Sequence, residues 1–231
     1  MNPLDVREQL EEDVTWRLDE LRHLRNQLLG ELDRKDWPAS AMRAILVMQY
    51  AHLEGFARNA FSVYVAAVND CQLSAKELHE HLFACALVPE FDALRRGAVA
   101  EVEAEDGAFM RRARHQVQFV KRIRALHEGP LLLDPDAAVS MEMNFGADVF
   151  RRTLFRLGIQ ETEVSRSYYQ SLEFVRNMRN DIAHGSRKNR IAPGEFEAHR
   201  LKSERFMAEL TRLITTAVEH EWFRVPNSHA S

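Results

Sequence analysis

One late amphipathic segment decides how this chain folds. Residues 165–185 read SRSYYQSLEFVRNMRNDIAHG. Each residue of a helix advances the side-chain direction by about 100°, so residues three and four apart share a face. One face is apolar: Phe174, Val175, Met178 and Ile182. The opposite face carries Arg176, Asn180 and His184. The segment is therefore predicted to be a helix from Ser165 to Ala183 that docks its apolar face on a bundle.

The same helical periodicity runs through most of the chain, with glycine and proline as punctuation and no strand-like alternation. The predicted fold class is all-α, a helical bundle. The other predicted helices span about 4–33, 39–69, 74–87, 107–127, 146–157 and 193–222. Pro89 and Gly97 are expected to interrupt the pattern after the third helix. Residues 131–144, which include Pro135, are expected to form a loop that crosses the bundle.

Composition favours one compact domain over residues 1–231, because 45% hydrophobic content in 231 residues is enough for one sizeable core. Two cysteines give no disulfide framework, and the start MNPLDVREQLEED is acidic, unlike a signal peptide. We expect a cytoplasmic protein. The apolar run 44–68 is long enough to cross a bilayer, but Glu54 and Arg58 lie at its middle. It is predicted to be a buried central helix, with no membrane partner.

Arg179 and His184 place a fixed cation and a titratable imidazole at the end of the predicted late helix. An imidazole can take a 2′-hydroxyl proton at neutral pH, and a guanidinium can stabilise the extra charge on an attacked phosphate. Spacing alone is weak evidence, because Arg122 and His127 have the same gap. The setting separates the late pair: Asn180 follows the arginine, Gly185 follows the histidine, and the basic run 187–190 comes next.

In this setting the chain resembles the HEPN superfamily of ribonucleases, whose signature is an arginine, a polar residue such as asparagine, and a histidine a few residues later. The segment RNDIAHG, 179–185, fits that form. Two earlier segments, QYAHLEGF at 49–56 and NFGADVF at 144–150 leading to LFRLGI at 154–159, resemble the HEPN-like branch of prokaryotic toxin-antitoxin and defence loci. The resemblance covers roughly residues 4–222.

The resemblance implies a two-fold homodimer of HEPN-type bundles that cleaves RNA at a composite site. Arg179 and His184 lie about 140° apart on a regular helix, so they can meet at one phosphate only through a distorted helix end or a second copy. In the expected mechanism His184 is the general base and Arg179 braces the phosphoryl oxygens, which gives 2′,3′-cyclic phosphate and 5′-hydroxyl ends. Asn180, one turn below His184, is expected to hydrogen-bond the imidazole.

Further residues are expected to support this site. Glu54, a carboxylate in an apolar helix, either pairs with Arg58 or, as the family suggests, reaches the late helix and orients Arg179. Asp181 is a second supporting residue. With a net charge of −4, RNA binding requires a local basic patch. The residues expected to provide it are Arg176, Arg187, Lys188 and Arg190.

Two other basic clusters, 111–114 and 121–124, are interpreted as a solvated helix face. No cofactor or metal is expected, since Asp181 alone is a poor magnesium site and His79, His81 and Cys85 lack a zinc pattern. A cognate antitoxin or sensor protein is a further expected partner. Ser186 stands where many HEPN toxins carry a tyrosine that is adenylylated, so that control is not expected. The alternative function is a noncatalytic HEPN-type module that binds RNA or a protein.

Overall fold

The computed structural model describes residues 1–99, 108–126, 129–139, 144–161, 164–186 and 191–226. The described ranges contain α-helices, a 3₁₀ turn at Arg34–Asp36, short turns, and no β-strand beyond two isolated bridges. The helices are α1 (Pro3–Leu29), α2 (Ala39–Asp70), α3 (Glu80–Ala86), α4 (Val88–Val99), α5 (Ala108–Leu126), α6 (Pro135–Ala138), α7 (Ala147–Arg156), α8 (Arg166–Ala183) and α9 (Pro193–Glu219). The all-α prediction is confirmed.

Helix α2 is the centre of the fold, as its apolar run predicted. It packs against α1, α8 and α9, and most of its apolar side chains are buried in one continuous core. Phe56, Phe61 and Tyr64 are completely buried. No helix in the described part of the chain is long and apolar enough to cross a membrane.

Helix α8 runs antiparallel to both α2 and α9. At its beginning, Tyr169 packs on Phe150, which in turn packs on Phe61 of α2, and near its end Arg179 lies against Tyr50 of α2. On the α9 side, Tyr168 contacts Phe206. The end of α8 therefore lies beside the first half of α2, on the bundle.

Helix boundaries follow the capping chemistry of the sequence. Asn2 forms a capping box with Asp5 at the start of α1, and Ser165 accepts a hydrogen bond from the Ser167 N–H at the start of α8. Pro193 opens α9, where its missing N–H removes no helical hydrogen bond. These caps place α8 and α9 within a few residues of the predicted boundaries.

The region 74–99 corrects two expectations. The predicted third helix does not start at Ser74, because the Glu77 carboxylate accepts hydrogen bonds from both the Ser74 N–H and hydroxyl and closes a turn there. Pro89 and Gly97 also do not interrupt the helical pattern, since both lie within α4. Pro89 is the second residue of that helix, where no intrahelical donor is needed.

The predicted crossing loop 131–144 is also not entirely loop. It contains the short helix α6, which Asp134 caps by accepting a hydrogen bond from the Asp136 N–H, with Pro135 as its first residue. Asn69 of α2 ties this segment to the bundle through two hydrogen bonds to the Leu133 backbone, at 2.8 and 2.9 Å.

Candidate active site

The end of α8 sets the position of His184. The helix stops at Ala183, and the His184 N–H donates the closing hydrogen bond to the Asn180 carbonyl at 2.9 Å. Gly185 then adopts a left-handed conformation, φ +71°, which glycine accepts without a Cβ clash. The Ser186 hydroxyl donates to the carbonyl of Asp181 at 3.0 Å and secures the turn. His184 is consequently held at the end of α8 with an exposed side chain.

Arg179, in contrast, is half-buried and points onto α2. Its guanidinium carbon lies 4.2 Å from the centroid of the Tyr50 ring, within the range of a cation–π contact. Its Nη1 donates to the Asn180 Oδ1 at 2.9 Å. The ring and the amide together hold the cation in one orientation.

Asn180 corrects an expectation. Its amide was predicted to hydrogen-bond the His184 imidazole, but its oxygen accepts from Arg179 and its nitrogen donates to the Oδ1 of Asn144 at 3.4 Å. The link between Asn180 and His184 is the backbone hydrogen bond that ends the helix. Asn180 therefore positions the guanidinium, and the imidazole is positioned by the local turn.

Tyr50 was not among the predicted site residues, although it lies in the quoted segment 49–56. Burial raises the pKa of its phenol, the charge of Glu54 raises it further, and Arg179 opposes both. The phenol is thus neutral, and its ring face is the surface on which Arg179 rests. The sequence shows an aromatic residue on α2 and an arginine on α8. It does not show which faces of the two helices meet, so their contact could not be predicted.

Glu54 lies one turn after Tyr50 on α2. Its Oε1 is buried without a hydrogen-bond partner among the described residues. Within those ranges no ion pair joins its carboxylate to Arg58, and its role beside Arg179 stays a prediction. Its negative charge nevertheless acts on the Tyr50 phenol together with the positive charge of Arg179. This places Glu54 in the same polar neighbourhood as the guanidinium.

Arg176, a predicted RNA contact, forms an ion pair with Glu173 at 2.5 Å and donates to the Asn177 Oδ1. The other carboxylate oxygen of Glu173 accepts the Ala147 N–H at 2.7 Å, at the start of α7. Gly146 allows this close approach, because a Cβ there would lie 2.8 Å from the Arg176 Cδ. Arg176 thus helps fasten α7 to α8.

The remaining expected RNA contacts, Arg187, Lys188 and Arg190, lie outside the described residues. Asp181 is half-buried, and its carbonyl receives the Ser186 hydroxyl. In the described ranges no group of three or more His, Cys, Asp or Glu side chains is arranged to hold a metal ion. Cys85 donates its thiol to the Arg156 carbonyl at 3.2 Å instead.

Three distant sequence segments therefore converge at one place. Segment 49–56 supplies Tyr50 and Glu54, segment 144–150 supplies Asn144, and segment 179–185 supplies Arg179, Asn180 and His184. The profile of the MAE_28990-like HEPN family matches residues 6–223, nearly the whole chain. The protein belongs to this HEPN family. No curated protein and no solved structure shows significant similarity to it.

We interpret the end of α8 as the HEPN signature of this family member. In this HEPN protein the arginine and histidine of the signature are held differently. Arg179 is fixed by contacts to side chains, one of them on another helix, whereas His184 is fixed by the helix end on which it lies. No hydrogen bond connects their side chains in the described part of the chain.

Proposed function

We propose that this HEPN protein is a metal-independent endoribonuclease. The observation that carries the proposal is the positioned guanidinium of Arg179, which rests on Tyr50 and lies five residues before an exposed imidazole. A fixed cation needs little reorganisation when charge develops on a phosphate, and an exposed imidazole can reach a 2′-hydroxyl. Family membership supports the same chemistry.

The proposed reaction is a transesterification followed by release of the RNA end. His184 takes the 2′-hydroxyl proton, the 2′-oxygen attacks the adjacent phosphorus, and the bond to the 5′-oxygen breaks. Arg179 stabilises the charge on the non-bridging oxygens. The leaving 5′-oxygen receives its proton from a second imidazole, which we assign to the partner subunit. The products carry 2′,3′-cyclic phosphate and 5′-hydroxyl ends.

The composite site requires a two-fold homodimer in which the exposed edges of two α8 helices face each other. The exposed position of His184 supports this arrangement, because a second subunit can approach it without unfolding the turn. RNA would lie between the subunits, and the segment 187–190 would contribute its cations there.

The direct test is cleavage of a labelled RNA in EDTA, with the ends analysed chemically. We expect cyclic-phosphate ends from the wild type and at least a 100-fold loss of rate in His184→Ala and Arg179→Ala, with unchanged folding by circular dichroism. His23→Ala is the matched control, since His23 is an exposed histidine on α1 far from the signature in sequence. A folded wild type that binds RNA and leaves it intact would instead establish the noncatalytic module.

We further propose that the cleavage serves a toxin or antiviral defence role, which family resemblance supports. Induced expression of the wild type should arrest growth, and His184→Ala expressed to the same level should not. Normal growth with abundant soluble wild type would contradict this role while leaving the cleavage assay unaffected.

A further inference from the structure

Helix α5 has an unusual charge for a protein of net charge −4. Residues 108–126 contain six cations, Arg111, Arg112, Arg114, Lys121, Arg122 and Arg124, and no acidic residue. The described contacts of α5 with other helices are chiefly with α4. Phe119 packs on Phe91 of α4, and Arg122 pairs with Glu90 at 2.9 Å. This α4 contact accounts for one face of the helix.

The opposite face of α5 carries exposed apolar side chains. Phe109 is 79% exposed, Val117 53%, and Met110 and Val120 each 48%. Met110, Ala113, Val117 and Val120 follow one another at intervals of three, four and three residues. This is the a/d spacing of a coiled-coil seam. We call these four residues the α5 seam.

Cations flank the α5 seam on one side. Arg114 and Lys121 each directly follow a d-position residue and are seven residues apart, so both occupy e positions. Charges at e positions select the partner of a coiled coil through pairs with the opposite helix. Arg124 continues the line of the α5 seam itself. A matching helix must therefore offer apolar side chains along its centre and carboxylates beside them.

A second copy of this chain does not fit. Pairing α5 with α5 would bring two sets of six cations together, which opposes association. Helix α1 carries acidic residues, but its two most exposed large apolar side chains, Leu4 and Trp16, are twelve residues apart and form no seam. An RNA site would place cations, not valines, at the centre of the exposed face.

We propose that the α5 seam is a docking site for an acidic amphipathic helix of a partner protein. The partner helix would cover Val117 and Val120 with apolar residues and pair its carboxylates with Lys121 and Arg124. This inference does not depend on catalysis at α8. It assigns a regulatory or recruitment surface to a part of the chain that supplies no residue to the candidate active site.

The test uses the full-length protein and a synthetic four-heptad peptide with leucine at a and d and glutamate at e and g. A second peptide of the same composition, with its leucines out of register, is the control. We expect the first peptide to bind and the second to bind at least tenfold more weakly. Equal binding of both peptides, or binding of neither, would overturn the proposal.

Two substitutions locate the peptide on α5. Val117→Glu adds a charge within the seam, and Gln118→Glu adds the same charge to the next exposed residue, outside it. Because Val117 is exposed, its replacement should leave the fold unchanged. We expect at least a tenfold loss of peptide affinity for Val117→Glu and a change of less than about twofold for Gln118→Glu. Equal effects would mean attraction to charge alone and would overturn the proposal.

RNA and membranes are the competing occupants. A single-stranded RNA and vesicles containing phosphatidylserine are titrated against the same variants. RNA bound through α5 would respond to the added charge alone, so Val117→Glu and Gln118→Glu would weaken it equally. Vesicle binding that Val117→Glu abolishes, without any peptide binding, would assign the seam to a lipid surface. Either result in place of in-register peptide binding would overturn the proposal.

Discussion

The guanidinium of Arg179 lies 4.2 Å from the centroid of the Tyr50 ring and so links the end of α8 to the central helix. Tyr50→Leu should lower the cleavage rate about 2- to 30-fold, because a cation–π contact of about 0.5–2 kcal/mol holds the cation in place. Tyr50→Phe retains the aromatic face and should keep most of the rate. Single-turnover cleavage at saturating protein measures both. Equal loss in the two variants would show that the phenol, rather than the ring, is required.

We expect Asn180 to affect the cleavage rate because it positions Arg179. Asn180→Ala removes the acceptor of the Nη1 hydrogen bond, and a hydrogen bond to a charged group contributes on the order of 1.5–3 kcal/mol. Since the site is partly exposed, we expect the rate to fall about tenfold at the lower end of that range. Asn177→Ala is the matched control on the same helix, because Asn177 accepts from Arg176 instead. A similar loss in both variants would argue for a general effect on α8.

A composite site predicts complementation between inactive subunits. Arg179→Ala and His184→Ala are each expected to be inactive as homodimers. Mixed dimers, purified through two different tags, retain one arginine and one histidine on different chains and should recover part of the activity. Sedimentation analysis should give a dimer for all samples. Mixed dimers as inactive as their parents would show that one arginine and one histidine on different chains are not sufficient for cleavage.

Acid should destabilise the fold through two histidines. Burial lowers the pKa of His52 despite the nearby Glu20 carboxylate, and burial together with Lys202 lowers the pKa of His199. The unfolded chain therefore binds more protons once the pH falls below the ordinary value of 6.5. The contribution of the two neutral histidines to stability is fully present above that pH. It is lost as the pH decreases toward their lowered pKa values in the folded protein.

Thermal melts between pH 7.5 and 5 measure this loss. His199 stacks on Phe174 at 3.6 Å between ring centroids and contacts the Ser171 hydroxyl at 3.2 Å. His199→Gln should reduce the fall in melting temperature on acidification, although it lowers stability at neutral pH. His23→Gln, at an exposed position, should leave the pH dependence unchanged. A wild type whose melting temperature does not fall between pH 7 and 5 would refute the assignment.

Local chemistry made much of the fold predictable. Periodicity placed α2, α8 and α9, because apolar positions repeat at helical spacing and Pro193 begins the last helix. Ser74 misled the prediction because a serine followed three residues later by glutamate can form either a helix start or the closed turn observed. Only the contact of residues 74–78 with distant parts of the chain distinguishes these outcomes.

The candidate site was also only partly predictable from the sequence. Arg179 and His184 are predicted from adjacent residues and from the family pattern, but the partner of the Asn180 amide is not. Its choice of Arg179 and Asn144 over His184 depends on the side on which residue 144 approaches α8. The contact between Tyr50 and Arg179 likewise depends on which face of α2 is turned toward α8. Both contacts depend on how distant segments pack together, and no local pattern in the sequence reveals that packing.

The imidazole and the guanidinium have separate supports: the turn at the end of α8 holds His184, and Tyr50 of α2 holds Arg179. A change in the turn after α8 would swing the imidazole while the guanidinium stays on its aromatic support. A change in α2 at Tyr50 would move the guanidinium while the imidazole stays in place. Natural variants could therefore retune proton transfer and phosphate affinity one at a time, with α8 itself unaltered.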